Sequence, residues 1–168
     1  MPPLEHLYDA PYLARNAANF AALTPLNFLA RTAAIYPDKV AVIDPAGVGG
    51  ERRFSYREFY RRCCGFADAL RRRRIGAGDT VAVLAPNVPA LLEAHYGVPM
   101  AGAVLNALNY RLDAAALAFI LDHGAAKLLI ADHEFAALAR EALQLLGRPL
   151  PLVEIADPSG RTEGVVEY

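Results

Sequence analysis

From Thr80 onward the chain alternates between two hydrophobic rhythms. Short, near-continuous apolar runs, "TVAVLA" (80–85), "AVLNA" (103–107), "KLLIA" (127–131) and "PLVEI" (151–155), are separated by stretches with helical spacing. Runs of this length bounded by turn residues read as strands buried on both faces. The spacing between them predicts a helix over 87–98, capped by Asn87 and ending or kinking near Pro99. A second helix starts at Asp113, buries Ala116, Leu117, Ile120 and Leu121, and stops at His123-Gly124. A third is capped by Asp132, turns Phe135, Leu138, Ala142 and Leu143 inward, and has Gly147 just past its end. Strands alternating with helices imply an α/β fold with a mostly parallel sheet flanked by helices and right-handed crossovers.

The first half carries a different pattern. Residues 1–23 hold proline, asparagine and little periodicity, and read as an irregular N-terminal arm. Thr24 can cap a helix that has Pro25 at its first position, with Leu26, Leu29, Ala30 and Ala33 as its buried stripe and Pro37 as its stop. "KVAVID" (39–44) predicts a strand, "DPAGVGG" a loop, and "ERRF" the antiparallel return. Ser55 and Glu58 have the spacing of a capping box, with Phe54 and Phe59 at the positions of a hydrophobic staple. The helix they open runs to about Arg74, buries Phe59, Cys63, Phe66, Ala67 and Leu70, and is ended by Gly76. Its final "RRRR" (71–74) suits the negative end of the helix dipole. "GAGD" (76–79) follows a helix and precedes a strand, the reverse of a phosphate-binding glycine loop, and reads as a turn. The organisation is an arm at 1–23, an α/β subdomain at 24–157 and a polar tail at 158–168 that leads towards missing sequence.

Composition narrows the function. The 168 residues fit one domain or part of a larger one. Of these, 55% are apolar, much of that alanine, which suits helices packed closely on a sheet. No apolar run approaches the ~20 residues of a membrane span, and the N-terminus lacks the basic and apolar regions of a signal peptide, so the expected location is cytoplasmic. A net charge of -1 argues against nucleic acid as a partner. Lys39 and Lys127 are the only lysines, against fifteen arginines, and each leads into a strand. Adjacent Cys63 and Cys64 read as reduced, buried thiols. His6, His95, His123 and His133 show no metal-ligand spacing, and no glycine-rich phosphate loop follows a strand. Asn87, Asn109 and Arg111 stand near strand ends, where capping and loop hydrogen bonds explain them as well as a ligand would. The reading therefore assigns no catalytic, cofactor-binding or metal residue.

The wording of the segments resembles the N-terminal part of an adenylate-forming (AMP-binding) acyl-CoA synthetase. The resemblance begins at "LTPLNFLARTAAIYPDKVAVI", continues through "RRFSYREFYRRCCGFADAL" and is closest over "GDTVAVLAPNVPALLEAHYGVPMAGAVLNALNYRLDAAALAFILDHGAAKLLIAD". The "RCC" helix and "VPMAGAVLN" look most like the short- and medium-chain or aromatic acyl branch. The resemblance implies an incomplete portion of a large N-terminal domain. Its parent enzyme would join a small carboxylic acid to ATP and then replace AMP by the thiol of coenzyme A, with Mg²⁺ as the metal. The phosphate loop, the acidic ribose ligand and the lysine of a C-terminal lid domain that the family uses are absent here, so no functional residue carries over. The implied partners are the remainder of the N-terminal domain and the lid domain; a homo-oligomer stays open. Ala116 departs from the glutamate often found early in that helix, with a small structural consequence expected. Two other readings stand beside this one: a stand-alone, non-catalytic α/β interaction module, and a small nucleotide-binding domain.

Overall fold

The computed structural model describes residues 14, 16, 18, 20–45 and 50–155. The elements are α1 (Pro25–Ile35), β1 (Val40–Asp44), β2 (Arg52–Ser55), α2 (Tyr56–Arg72), β3 (Thr80–Leu84), α3 (Pro89–Met100), β4 (Val104–Ala107), α4 (Ala114–His123), β5 (Ala126–Asp132), α5 (Ala136–Leu146) and β6 (Leu152–Ile155), with a 3₁₀ turn at His133–Phe135. Most of the arm at 1–23 and all of the tail at 158–168 lie outside the described residues, as does His6.

β3 to β6 form one parallel sheet in the order β4-β3-β5-β6. The chain steps from β3 to β4 on one side, then crosses back over β3 to β5. That reversal places α3 on one face of the sheet and α4 and α5 on the other. On one face α2 and α3 pack Phe66, Leu70, Ala94 and Val98 onto Val81, Val83, Leu128 and Ile130. On the other, α4 and α5 pack Leu117, Leu121, Ala139 and Ala142 onto Ala82, Leu84, Leu129 and Ala131. β1 and β2 form a separate antiparallel pair. It is held by a third cluster in which Leu29, Phe59 and Cys63 meet Ala41 and Val42.

The local signals act largely as read. Asn27 N–H donates to Thr24 Oγ1, with Pro25 at the first position of α1. Glu58 N–H donates to Ser55 Oγ while Ser55 N–H donates to the Glu58 carboxylate, a complete capping box. All five residues expected inside α2 are buried. Asp113 accepts the Ala116 N–H at 2.8 Å, so α4 is capped despite the alanine. Its buried stripe is turned slightly: Ala114, Leu117, Ala118 and Leu121 are buried, while Ala116 and Ile120 are half-buried.

Three boundaries differ, each for a physical reason. Asn87 does not cap α3. Val88 holds that position with no side-chain hydrogen bond, because Pro89 takes the first helical position and fixes the entry one residue later. Asp132 caps the 3₁₀ turn, accepting the Glu134 N–H, and α5 begins only at Ala136. Finally, Gly76 does not end α2. The left-handed residue after the helix is Arg74, at φ 61. Arg74 N–H donates to Arg71 O and Ile75 N–H to Leu70 O, the paired bonds of a Schellman cap, with Ile75 and Leu70 buried together. A side chain with a Cβ sits in this conformation at a cost of about 1–2 kcal/mol. Arg74→Gly is therefore expected to raise unfolding stability by about 1 kcal/mol, read as a higher urea midpoint with an unchanged slope.

Candidate functional site

In an open parallel sheet the loops beyond the strands' carboxyl ends diverge where the winding reverses, and ligands gather there. Here that point lies between β3 and β5. The facing segments are Ala85–Val88 and Asp132–Phe135, with the loop from Leu108 to Asp113 alongside. Two of their side chains, Asp132 and Asn109, are spent on their own backbone. Asp132, largely buried, accepts from Glu134 N–H and lies 3.1 Å from His133 Nδ1. Asn109 Oδ1 accepts the Arg111 N–H at 3.0 Å. Tyr110 stacks on Phe135 at 5.1 Å between centroids, tying the loop after β4 to the turn after β5, and Arg111 lies over Tyr110. Among the described residues no group of three or more His, Cys, Asp or Glu side chains could hold a metal.

Asn87 and His95 come together on the wall of a cleft of about 300 Å³ between β1 and the start of α3. Its floor and sides are Val42, Ile43, Pro45, Val88, Leu91 and Leu92. His95 lies 2.8 Å through Nδ1 from the Leu91 carbonyl one turn back. Asp44, also at the cleft, is taken by Arg52 at 2.6 Å. His123 stands apart, stacked on Phe119 in the last turn of α4. Three of the four arginines in the run are likewise occupied: Arg71 donates to Met100 O, Arg72 pairs with Asp68, and Arg73 donates to Ala69 O. Asp79, in the "GAGD" turn, accepts from Lys127 at 2.8 Å and from Gly76 N–H. These two bonds hold its carboxyl below the usual range. Lys127 is thus the second residue of β5, with its charge used in a structural pair.

Among the described residues, the most buried charge was not marked in the sequence. Glu93 of α3 is 1% exposed, and both its oxygens are met by Arg62 of α2, at 2.5 Å from Nε and 3.2 Å from Nη2. Arg62 in turn lies over the Phe54 ring. The only available signal was that Glu93 shares the helical face of Ala94, Gly97 and Val98. Its partner lies 31 residues away, beyond the reach of any local pattern.

Cys63 sits below this pair, fully buried, while Cys64 is exposed, so the expectation that both thiols are buried fails for Cys64. Adjacent helical residues differ by about 100° in direction, and only one can face the core. Burial first, then the charge of Glu93 and the neighbouring Cys64, push the Cys63 thiol up to about 12. With an aromatic disulfide reagent at about pH 8, a single thiol is expected to react in the folded chain and both after denaturation. Because the folded value is raised, Cys63 stabilises the fold fully below the ordinary thiol value of about 8.5. That contribution is lost as pH climbs towards 12.

An open parallel sheet with helices on both faces, wound in two directions from β3, defines a doubly wound α/β domain. The chain belongs to the AMP-binding enzyme family, whose profile matches residues 29–163, and it corresponds to the N-terminal part of acyl-CoA ligases. It is 48% identical over 158 residues to acetate–CoA ligase CCL3 of Humulus lupulus, covering 90% of this chain and 27% of that protein. It is 48% identical over 134 residues to the peroxisomal benzoate–CoA ligase of Arabidopsis thaliana, covering 80% of this chain and 22% of the other. Among solved structures, the inhibitor-bound N-terminal domain of FACL13 from Mycobacterium tuberculosis superposes with a TM-score of 0.70 at 26% identity, over 79% of this chain and 33% of that one. The chain thus spans about a quarter of the length of these curated relatives.

Proposed function

We propose that this chain is the N-terminal scaffold of an ATP-dependent acyl-CoA ligase and does not itself carry the reacting groups. The whole enzyme would join a carboxylate to ATP, release pyrophosphate, and pass the acyl group from AMP to the thiol of coenzyme A. The observation that carries this reading is the rim of the parallel sheet. It occupies the place where an open α/β sheet receives its ligand, yet the Asp132 and Asn109 side chains are engaged in their own turns and the Arg111 guanidinium lies over the Tyr110 ring. No backbone cradle for phosphate follows β3, β4 or β5. ATP, Mg²⁺ and coenzyme A do not fit the donors described here, and they belong with the remaining sequence.

The relatives' names include acetate and benzoate ligases, which supports a small aliphatic or aromatic acid as substrate and a role in fatty acid or aromatic acid activation. We also propose a cytoplasmic location for the protein. Among the described residues no helix is long and apolar enough to cross a membrane; a peroxisomal relative makes localisation of the tagged protein the deciding measurement.

Carboxylate-dependent exchange of pyrophosphate into ATP tests the function. The gene product extended to its relatives' length is expected to be active with acetate, butyrate or benzoate, and the 168-residue chain inactive. Exchange by the 168-residue chain alone would refute the scaffold reading, and a stop codon after Tyr168 would favour the stand-alone interaction module.

A further inference from the structure

We propose that the groove between α1 and α2 is the docking site of the chain's own residues 1–13, and that the docked arm covers Cys64. The proposal is independent of the scaffold reading. Arg71 and Met100, which line one end of the groove, stand in the last turns of the helices that lead into β3 and β4. The groove therefore opens at the end of the sheet opposite the rim.

The groove holds about 270 Å³. Its floor is Leu26 and Ala30 of α1, Ala67 of α2 and Met100 of α3. Leu26, Ala30 and Met100 are only half-buried, so apolar surface is left facing outward. Cys64 is exposed on the wall, and Arg71 is the one charged residue among those that line it. Arg71 donates to the Met100 carbonyl, a neutral partner, and keeps a positive charge at this end.

Position, length and composition together name the occupant. The arm runs into the groove's own wall: Leu26 and Asn27 lie in the first turn of α1. Asn27 Nδ2 donates to Ala22 O at 2.7 Å, which pins the arm's last residues there. Further back, Phe20 N–H donates to Asn16 O and Ala18 N–H to Asn16 Oδ1, a turn that keeps the chain close. The segment before Ala14 is also long enough. Along α2 the groove runs from Tyr60 to Arg71, roughly 16 Å at the helical rise per residue. An extended segment as long as residues 1–13 reaches about 40 Å. Segments that stay solvated are poor in aromatic and large apolar residues, yet "MPPLEHLYDAPYL" carries Leu4, Leu7, Tyr8, Tyr12 and Leu13. It has no lysine or arginine, and its Glu5 and Asp9 are opposite in sign to Arg71.

Alkylation of Cys64 by iodoacetamide provides the test, in the gene product at the length the cell makes it. The readout is the mass of the peptide that holds both cysteines. Cys63 is fully buried, so a single label reports Cys64. Deleting residues 2–13 is expected to speed labelling about ten-fold. The Leu7→Glu, Tyr8→Glu double variant is expected to do the same with the arm still attached. Equal rates in the parent and both variants would overturn the proposal. So would a parent rate that rises on dilution, because a second copy would then be filling the groove. A second label, on Cys63, in both variants would mean that the arm holds α1 and α2 together and does not cover a groove, and the proposal fails in that case too.

Discussion

Arg62→Ala is expected to lower unfolding stability by about 3 kcal/mol, while Arg62→Leu combined with Glu93→Leu restores most of the loss. The truncation leaves Glu93, 1% exposed between α2 and α3, without the guanidinium that meets both its oxygens. An unpaired buried carboxylate costs about 3–5 kcal/mol. The lower end applies because Arg62 is itself 41% exposed and water reaches its outer side. Removing both charges eliminates the desolvation cost along with the attraction, so a leucine pair is tolerated if it fills the space. Urea unfolding of the two single variants and the double variant closes the cycle. Additive losses would mean that Arg62 acts through its contact with Phe54 and not through Glu93.

Gly97→Ala is expected to destabilise by about 2 kcal/mol, although alanine is the better helix former by about 1 kcal/mol. A Cβ at Gly97 would lie 2.7 Å from Phe66 Cβ and 2.9 Å from its Cγ. The obstructing atoms are at the root of the side chain, so a rotamer change cannot clear them, and α2 and α3 must move apart. Phe66 is also packed on the sheet among Leu70, Val81 and Ile130, which resists that movement. Thermal melting decides between the two effects. A raised melting temperature would show that the helices separate at little cost and that propensity wins.

What the sequence disclosed follows the range of the forces involved. The capping box of Ser55 and Glu58, the five-residue stripe of α2 and the apolar runs of β3 and β5 are set within a few residues, and all are as read. Where two local signals competed, the choice went astray. Asn87 and Pro89 both mark a helix start, and proline at the first position decided it. Gly76 was the conventional end for α2, but the buried contact between Ile75 and Leu70 holds Arg74 in the left-handed conformation instead. The Glu93–Arg62 pair and the separation of buried Cys63 from exposed Cys64 depend on how α2 lies against α3. No spacing within either helix states that. The surroundings of the rim were legible as strand ends, with Asp132 read as a cap and Asn109 as open to a loop hydrogen bond; which N–H each accepts became visible only with the loops in place.

Alanine at the interface between the sheet and α4 and α5 gives this protein a lopsided tolerance of change. Ala82, Ala131, Ala139 and Ala142 are all fully buried there, with Ala126 and Ala114 beside them. Residues that small have almost nothing to lose by truncation, yet every enlargement forces helix and strand apart in a layer already in contact. Inherited variation at these positions should accordingly be narrow in volume and free of unpaired polar groups, whereas Val81, Val83 and Phe66 on the other side can be shortened at the cost of a cavity.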